Sequence, residues 1–155
     1  MGLFNFLFGK KPVISIEHPC FGHMTYHSSR WRFTGNYFTC EPYFKPVSAK
    51  VPLHMVADTE EPTKAQTEYF QALEVHYASL FPVIAPRIKE AACNGEEEFI
   101  FDDFFKDFRL IGMHIYTDKN DAILCELSFV TDLAPEYIFI TVLDGLELKE
   151  VMISE

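Results

Sequence analysis

The sequence has few cysteines, and none of them lies in a recognised pairing pattern. The four cysteines among 155 residues are Cys20, Cys40, Cys93 and Cys125. They form no CxxC pair and lack the density of a secreted disulfide scaffold. We therefore expect reduced, mostly buried thiols in a protein of the cytoplasm.

The sequence also has no long apolar run and no known catalytic motif, and its basic residues are fewer than its acidic ones. No run approaches the roughly 18–20 apolar residues of a spanning helix, so a soluble protein is expected. Lys and Arg number 13 against 23 Asp and Glu, and the net charge of −10 argues against nucleic-acid or membrane partners. The GxSxG, P-loop, GxGxxG and HExxH motifs are absent, so no catalytic residue and no cofactor is predicted.

The apolar content, in contrast, is sufficient for a folded domain. Hydrophobic residues make up 48% of the chain and aromatic residues 15%, with 16 Phe and 7 Tyr. Such a composition excludes a disordered chain. Because the length suits one continuous core, we predict a single domain over residues 1–155.

The first third of the chain is predicted to form short strands. The stretch VISIEHPCFGHMTY is rich in β-branched and aromatic residues, which indicates extended chain. The Gly-Asn pair at 35–36 predicts a hairpin turn between strands at 31–34 and 37–40. Alternating apolar residues predict another strand over 47–57, and Pro52, which has no N–H to donate, favours an edge position or a bulge in it.

A change to helical periodicity marks the centre of the chain. Thr63 is the predicted N-cap, and its spacing to Gln66 is that of a capping box. Apolar residues then recur every three or four positions along one face. Pro82 and Pro86 are predicted to kink or divide this helix, leaving about five turns and a shorter continuation to Cys93.

The last third is predicted to return to strands. Asp102 or Asp103 is expected to cap a one- or two-turn helix, with a strand over 99–101 as the alternative. Asp144-Gly145 indicates a tight hairpin. The order of elements predicts an α+β domain, a mainly antiparallel sheet with one long central helix on one face and short accessory helices. The predicted late strands are Leu110–Thr117, Ala122–Val130, Tyr137–Leu143 and 146–154.

The opening MGLFNFLFGKK, residues 1–11, is predicted to form a short amphipathic helix. Its apolar residues from Leu3 to Phe8 would share one face, and Gly9 is a natural residue to follow the helix end. We expect this face to dock on the domain or on a second copy of the chain, which would give a homodimer. Contact with a membrane is disfavoured by the net charge of −10.

Four potential metal ligands lie within ten residues of one another. They are His18, Cys20, His23 and His27, and imidazole and thiolate are the usual ligands of zinc. On a strand, His18 and Cys20 would point to one face and His23 to the other, unless Gly22 inserts a bulge. A polar strand face also accounts for these histidines. A small metal-binding protein or enzyme using this cluster is the alternative functional hypothesis.

Aromatic and acidic residues are the candidates for binding a protein partner. Tyrosine, tryptophan and arginine are enriched at binding hot spots, and they crowd the segment 26–43. Acidic runs at 96–98 and 102–103 would attract a basic partner. The predicted partner-binding residues are Tyr26, Arg30, Trp31, Arg32, Tyr37, Tyr43, Glu96, Glu97, Glu98, Asp102 and Asp103.

Four short motifs can be read together: HPCFG, the Trp31 that follows it, TKAQTEYFQAL, and the closing YIFITVLDGLELKEVMISE. They resemble a loose group of small bacterial proteins of unknown function, whose pattern is an HPxFG strand, an early Trp hairpin, a central helix and a final β-hairpin. Members of such families are often suspected to be immunity proteins. The resemblance therefore implies a non-catalytic inhibitor of a cognate, basic toxin domain. The chain departs from the pattern at Glu136-Tyr137, where a Trp-Asp and Glu-His pairing is expected, so no role of that feature is carried over.

Overall fold

The computed structural model describes residues 14–28, 35–57, 59–92 and 100–155. These residues form an eight-stranded sheet, a small two-stranded sheet and one long helix, which is the predicted α+β class. The predicted N-terminal helix over 1–11 lies outside the described residues. The strands are β1 (Ile14–His18), β2 (Gly22–His27), β3 (Asn36–Cys40), β4 (Tyr43–Phe44), β5 (Ala49–Lys50), β6 (Leu53–Ala57), β7 (Arg109–Thr117), β8 (Ile123–Val130), β9 (Ile138–Asp144) and β10 (Glu147–Ser154), and the helices are α1 (Lys64–Ala92) and α2 (Phe104–Asp107).

The large sheet joins two groups of antiparallel strands at one parallel pair. Its strand order is β1-β2-β3-β6-β7-β8-β9-β10, and only β6 and β7 run parallel. A parallel pair needs a crossover connection, which here includes α1. None of the helices in the described residues has the length and apolarity needed to cross a bilayer.

The predicted capping box starts α1. The Thr63 N–H donates to Gln66 Oε1 at 2.9 Å, and the Gln66 N–H donates to Thr63 Oγ1 at 3.2 Å. The buried Gln66 amide also donates from Nε2 to the carbonyl oxygen of Val56 at 2.7 Å, which ties the helix start to β6. This one side chain therefore fixes the first turn and its position over the sheet.

The two prolines do not divide α1, which runs unbroken from Lys64 to Ala92. Each proline removes the N–H that would donate to the carbonyl four residues earlier, at Ala78 and at Pro82. Both of those residues are exposed, so water can hydrate the two carbonyls. The predicted end at Cys93 lies outside the described residues.

The core lies between α1 and one face of the sheet. Phe70 of α1 is 1% exposed and contacts two other buried rings, Phe21 at 5.2 Å and Phe44 at 5.6 Å between ring centroids. Asp103 caps α2 by accepting from the Phe105 N–H at 3.0 Å, as predicted. The buried Phe104 of this helix stacks on Phe108 at 4.6 Å and closes one end of the core.

The strand predicted over 47–57 is wrong at its start and at Pro52. A 3-10 turn, Lys45–Val47, comes first, and β5 and β6 form separately. From Val51 to Ala57 the predicted alternation is confirmed, since 51, 53, 55 and 57 are buried. Pro52 comes just before β6, which is an inner strand and not the predicted edge strand. At this position its missing N–H removes no hydrogen bond between strands. The carbonyl oxygen of Pro52 accepts from the Met113 N–H at 2.9 Å.

Two predicted hairpin turns have a different pairing in the structure. The strand at 37–40 pairs with β2, where Tyr37 faces His27, while 31–34 lies outside the described residues. In the last hairpin Asp144 pairs with Glu147, so the loop residues are 145 and 146, one position later than predicted. Gly145 has φ +55°, the left-handed conformation that this loop needs and that glycine adopts without strain.

Candidate functional site

The sheet has one face that no described helix covers, which we call the open face. Its side chains point away from α1 and include one rung of paired residues across the whole sheet. Most members of this rung are polar, as expected where no described helix packs, while Val142 is a buried apolar member. The central rung consists of Ser15, Thr25, Thr39, His54, His114, Glu126, Val142 and Glu150.

Five rings cross four strands of the open face, and we call them the aromatic row. His27 stacks on Tyr37 with centroids 4.6 Å apart, and Tyr37 lies 4.5 Å from His54. His54 meets His114 edge to face at 4.7 Å, and His114 lies 4.9 Å from Tyr116. Cross-strand aromatic pairs of this kind stabilise a sheet and hold one another in place. The row is thus a preformed surface.

Glu126 anchors one end of the aromatic row. Its Oε1 accepts from the Tyr116 hydroxyl at 3.2 Å, and its Oε2 lies 3.4 Å from His114 Nδ1. His114 Nε2 is buried and has no hydrogen-bond partner among the described residues. At the other end, His27 Nε2 lies 2.9 Å from Thr39 Oγ1. The carboxylate therefore orients His114 through one nitrogen and leaves the other nitrogen unused.

His54 lies at the centre of the row, in contact with rings on both neighbouring strands. Burial, and then the neighbouring His114 and His27, lower the pKa of His54 below its ordinary value near 6.5. His54 is therefore neutral near pH 7, and one of its ring nitrogens is a hydrogen-bond acceptor.

A groove of about 910 Å³ runs beside the aromatic row. Its floor is formed by open-face residues of five strands, and its rim by β4, β5 and the turn between β1 and β2. This volume is within the range of sites that hold a small molecule or a peptide segment. The floor includes Thr25, Thr39, His54, Gly112, His114 and Ser128, and the rim includes Cys20, His23, Glu41, Tyr43 and Lys50.

The four candidate metal ligands of the alternative hypothesis, His18, Cys20, His23 and His27, are not grouped as a metal site. His18 ends β1, and its Nδ1 accepts from the Cys20 backbone N–H at 3.1 Å. His23 lies on the opposite face from His18, as predicted, and His23 Nδ1 is 2.7 Å from Glu17 Oε1. His27 lies on the same face as His23. In the part of the chain that the structure describes, no three His, Cys, Asp or Glu side chains are grouped as a metal site.

The groove-lining thiols are not activated nucleophiles. Burial raises the pKa of Cys40 to about 12, with a smaller contribution from Cys20. Burial also raises the pKa of Cys20, with Glu74 as the second cause. A thiolate is the reactive form, so both cysteines are inert near neutral pH.

The predicted partner-binding residues fall in three different environments. Tyr26 is 7% exposed and belongs to the core, so its prediction as a contact residue is wrong: position 26 alternates inward on β2. Tyr37 belongs to the aromatic row, and Tyr43 is 56% exposed at the groove rim. Asp103 caps α2 and pairs with Lys106 at 3.3 Å, while Asp102 is exposed. Arg30, Trp31, Arg32, Glu96, Glu97 and Glu98 lie outside the described residues.

Sequence reasoning missed His54, His114 and Glu126 as site residues. The alternation over 47–57 already placed His54 on the polar side of its strand. His114 and Tyr116 are two residues apart on a predicted strand, so a shared face could have been inferred. The parallel pairing of β6 with β7, which brings His54 to His114, has no short-range signal in the sequence.

Comparisons with protein-family models, with curated proteins and with solved structures find no match to this chain. The site is therefore interpreted from its own geometry.

The position of His54 predicts how stability depends on pH. Because the pKa of His54 is lowered in the folded state, the unfolded chain binds more protons below about pH 6.5, and stability falls as the pH falls through that value. We expect His54→Gln to show a shallower loss of unfolding free energy between about pH 7 and pH 5. Urea unfolding at several pH values measures this, with the exposed His76→Gln as a matched control. Parallel pH profiles for His54→Gln and the wild type would contradict the assignment.

Proposed function

We propose that this protein is a non-catalytic binding module that uses the open face to hold a protein partner. Its most concrete form is a cytoplasmic immunity-type inhibitor of a cognate bacterial toxin. The observation that carries this proposal is the aromatic row, a preformed set of five half-buried rings on a sheet face that no described helix covers.

The chemistry of the open face suits protein recognition better than catalysis. Tyrosine and histidine rings present apolar surface and polar edges, and they are already fixed by stacking, so little side-chain entropy is lost on binding. The net charge of −10 favours a basic partner and its fast encounter. Two routes to catalysis, an activated cysteine and a metal site, have no support from the described cysteines and histidines.

Co-expression with a toxin tests the proposal directly. A large secreted polymorphic protein encoded immediately upstream of this chain would be the toxin to test, expressed from a separate inducible promoter. We expect the wild-type chain to restore growth, and Tyr37→Ala with His54→Ala to abolish the protection. Val75→Ala with His76→Ala, on the exposed side of α1, should protect as the wild type does.

Two outcomes would contradict the proposed function. One is a wild-type chain that is expressed and folded but gives no protection against such a toxin. The other is equal protection by the row variant and the wild type, which would place the contact elsewhere.

A further inference from the structure

We infer that the partner binds the open face through a cationic segment whose lysine or arginine groups reach the His54, His114 and Glu126 rung, and that acidic pH releases it. This inference rests on the proposed function and specifies the chemistry of the partner. It is carried by the charges of the face, by its hydrogen-bond acceptors and by the spacing of its histidines.

On the last three strands, the paired positions of two open-face rungs carry only acidic charges. On β8, β9 and β10 two neighbouring rungs hold four carboxylates, namely Glu126 and Glu150 in one, and Asp144 and Glu147 in the other. The last three are exposed, and no lysine or arginine occupies a paired position in these described rungs. A cationic segment laid across the strands would therefore meet the rings first and the carboxylates next.

The centre of the face also offers hydrogen-bond acceptors that a cationic group can use. Neutral His54 offers an acceptor nitrogen, and Glu126 has lone pairs left after contacting Tyr116 and His114. Guanidinium and ammonium groups carry donors only, so they match these acceptors. A partner that presents carboxylates would be repelled by the carboxylate of Glu126.

The histidines make this arrangement sensitive to pH. A proton on His54 converts its acceptor into a donor and places a positive charge 4.7 Å from the ring of His114, between ring centroids. The titratable groups that face His54 are His27, Tyr37, His114, Tyr116 and Glu126, with His23, Glu41, Tyr43 and Lys50 at the groove rim. Only Glu126 and Glu41 among them would offset that charge, and His114 already contacts Glu126. Protonation of His54 therefore makes the centre of the aromatic row repel a bound cation.

A hexaarginine peptide, blocked at both ends, is the probe for this inference, and hexaglutamate is its control. Amide chemical shifts of the full chain are followed during titrations at about pH 7.5 and pH 5.5, a range in which ordinary carboxylates stay ionised. We expect the largest shifts on β6, β7 and β8. We also expect Kd to rise about fivefold at the lower pH, as a unit charge close to the bound cation implies. His54→Gln with His114→Gln should bind at both pH values with nearly equal Kd, and His76→Gln should behave as the wild type.

Several results would overturn the inference. Shifts concentrated on α1 would indicate nonspecific attraction to the acidic chain, as would equal weakening by acid in the wild type and the histidine variant. Stronger binding of hexaglutamate than of hexaarginine would mean that the open face prefers an anionic partner segment, contrary to the inference.

The inference and the proposed function can fail separately. If hexaarginine does not bind the rung while the row variant still loses protection in co-expression, the function stands and the cationic segment is wrong. If the peptide binds as expected while the wild type gives no protection, the face is cation-binding and the immunity role is wrong.

Discussion

Replacing Phe70 with alanine is expected to lower the free energy of unfolding by about 3–5 kcal/mol, the range for truncating a buried phenylalanine. Phe70 is 1% exposed and belongs to α1. Its ring meets Phe21, in the turn between β1 and β2, edge to face, and also Phe44 of β4. The substitution would therefore leave a cavity where three separate segments meet.

A loss of this size is a large part of the total stability of a domain, which is about 5–15 kcal/mol. Urea unfolding followed by circular dichroism measures it. Val75→Ala is the matched control, because Val75 lies on the same helix and is 78% exposed; its effect should stay within about 0.5 kcal/mol. A loss below about 1 kcal/mol for Phe70→Ala would mean that the core is not closed at this place.

The second large effect is expected on binding. Replacing Tyr37 and His54 together with alanine should weaken the affinity for the proposed toxin partner by about 30- to 1,000-fold, which corresponds to roughly 2–4 kcal/mol at a hot spot. Both rings are half-buried, and each supports its neighbour in the aromatic row. The double variant therefore removes two contacts and also loosens His27 and His114.

Isothermal titration calorimetry with purified toxin domain measures this loss. Thermal unfolding of the double variant is recorded alongside, so that lost affinity is not confused with lost fold. Val75→Ala with His76→Ala serves as the control, because both residues lie on the exposed side of α1, away from the open face. If the row variant retains its fold and binds within about twofold of the wild type, the row is not the contact surface.

Local patterns predicted the elements of this fold well. Three correct predictions depend only on residues a few positions apart, so they can be made from the sequence alone. They are the capping box at Thr63, the cap at Asp103 and the alternation through Leu53 and Met55. The prediction for the last hairpin was one residue early, because turn propensity selects Asp-Gly and the cross-strand register decides the loop.

The candidate site could not be predicted from the sequence, because it depends on pairing between strands that are far apart in the chain. Nothing local indicates that β6 pairs with β7 across the whole of α1, and this pairing creates the contact between His54 and His114. The HPCFGHMTYH segment suggests a metal site because four residues of ligand type are close together in sequence. Its residues separate because the turn after His18 sends them to different faces, and only His27 joins the aromatic row.

Amide hydrogen exchange of the chain alone and in complex with the proposed toxin partner tests most directly whether the open face holds a partner. If the open face holds the partner, protection should increase on β2, β3, β6, β7 and β8, while the exposed side of α1 around Val75 should exchange as in the free protein. Protection that appears on α1 and leaves these five strands unchanged would contradict the central claim.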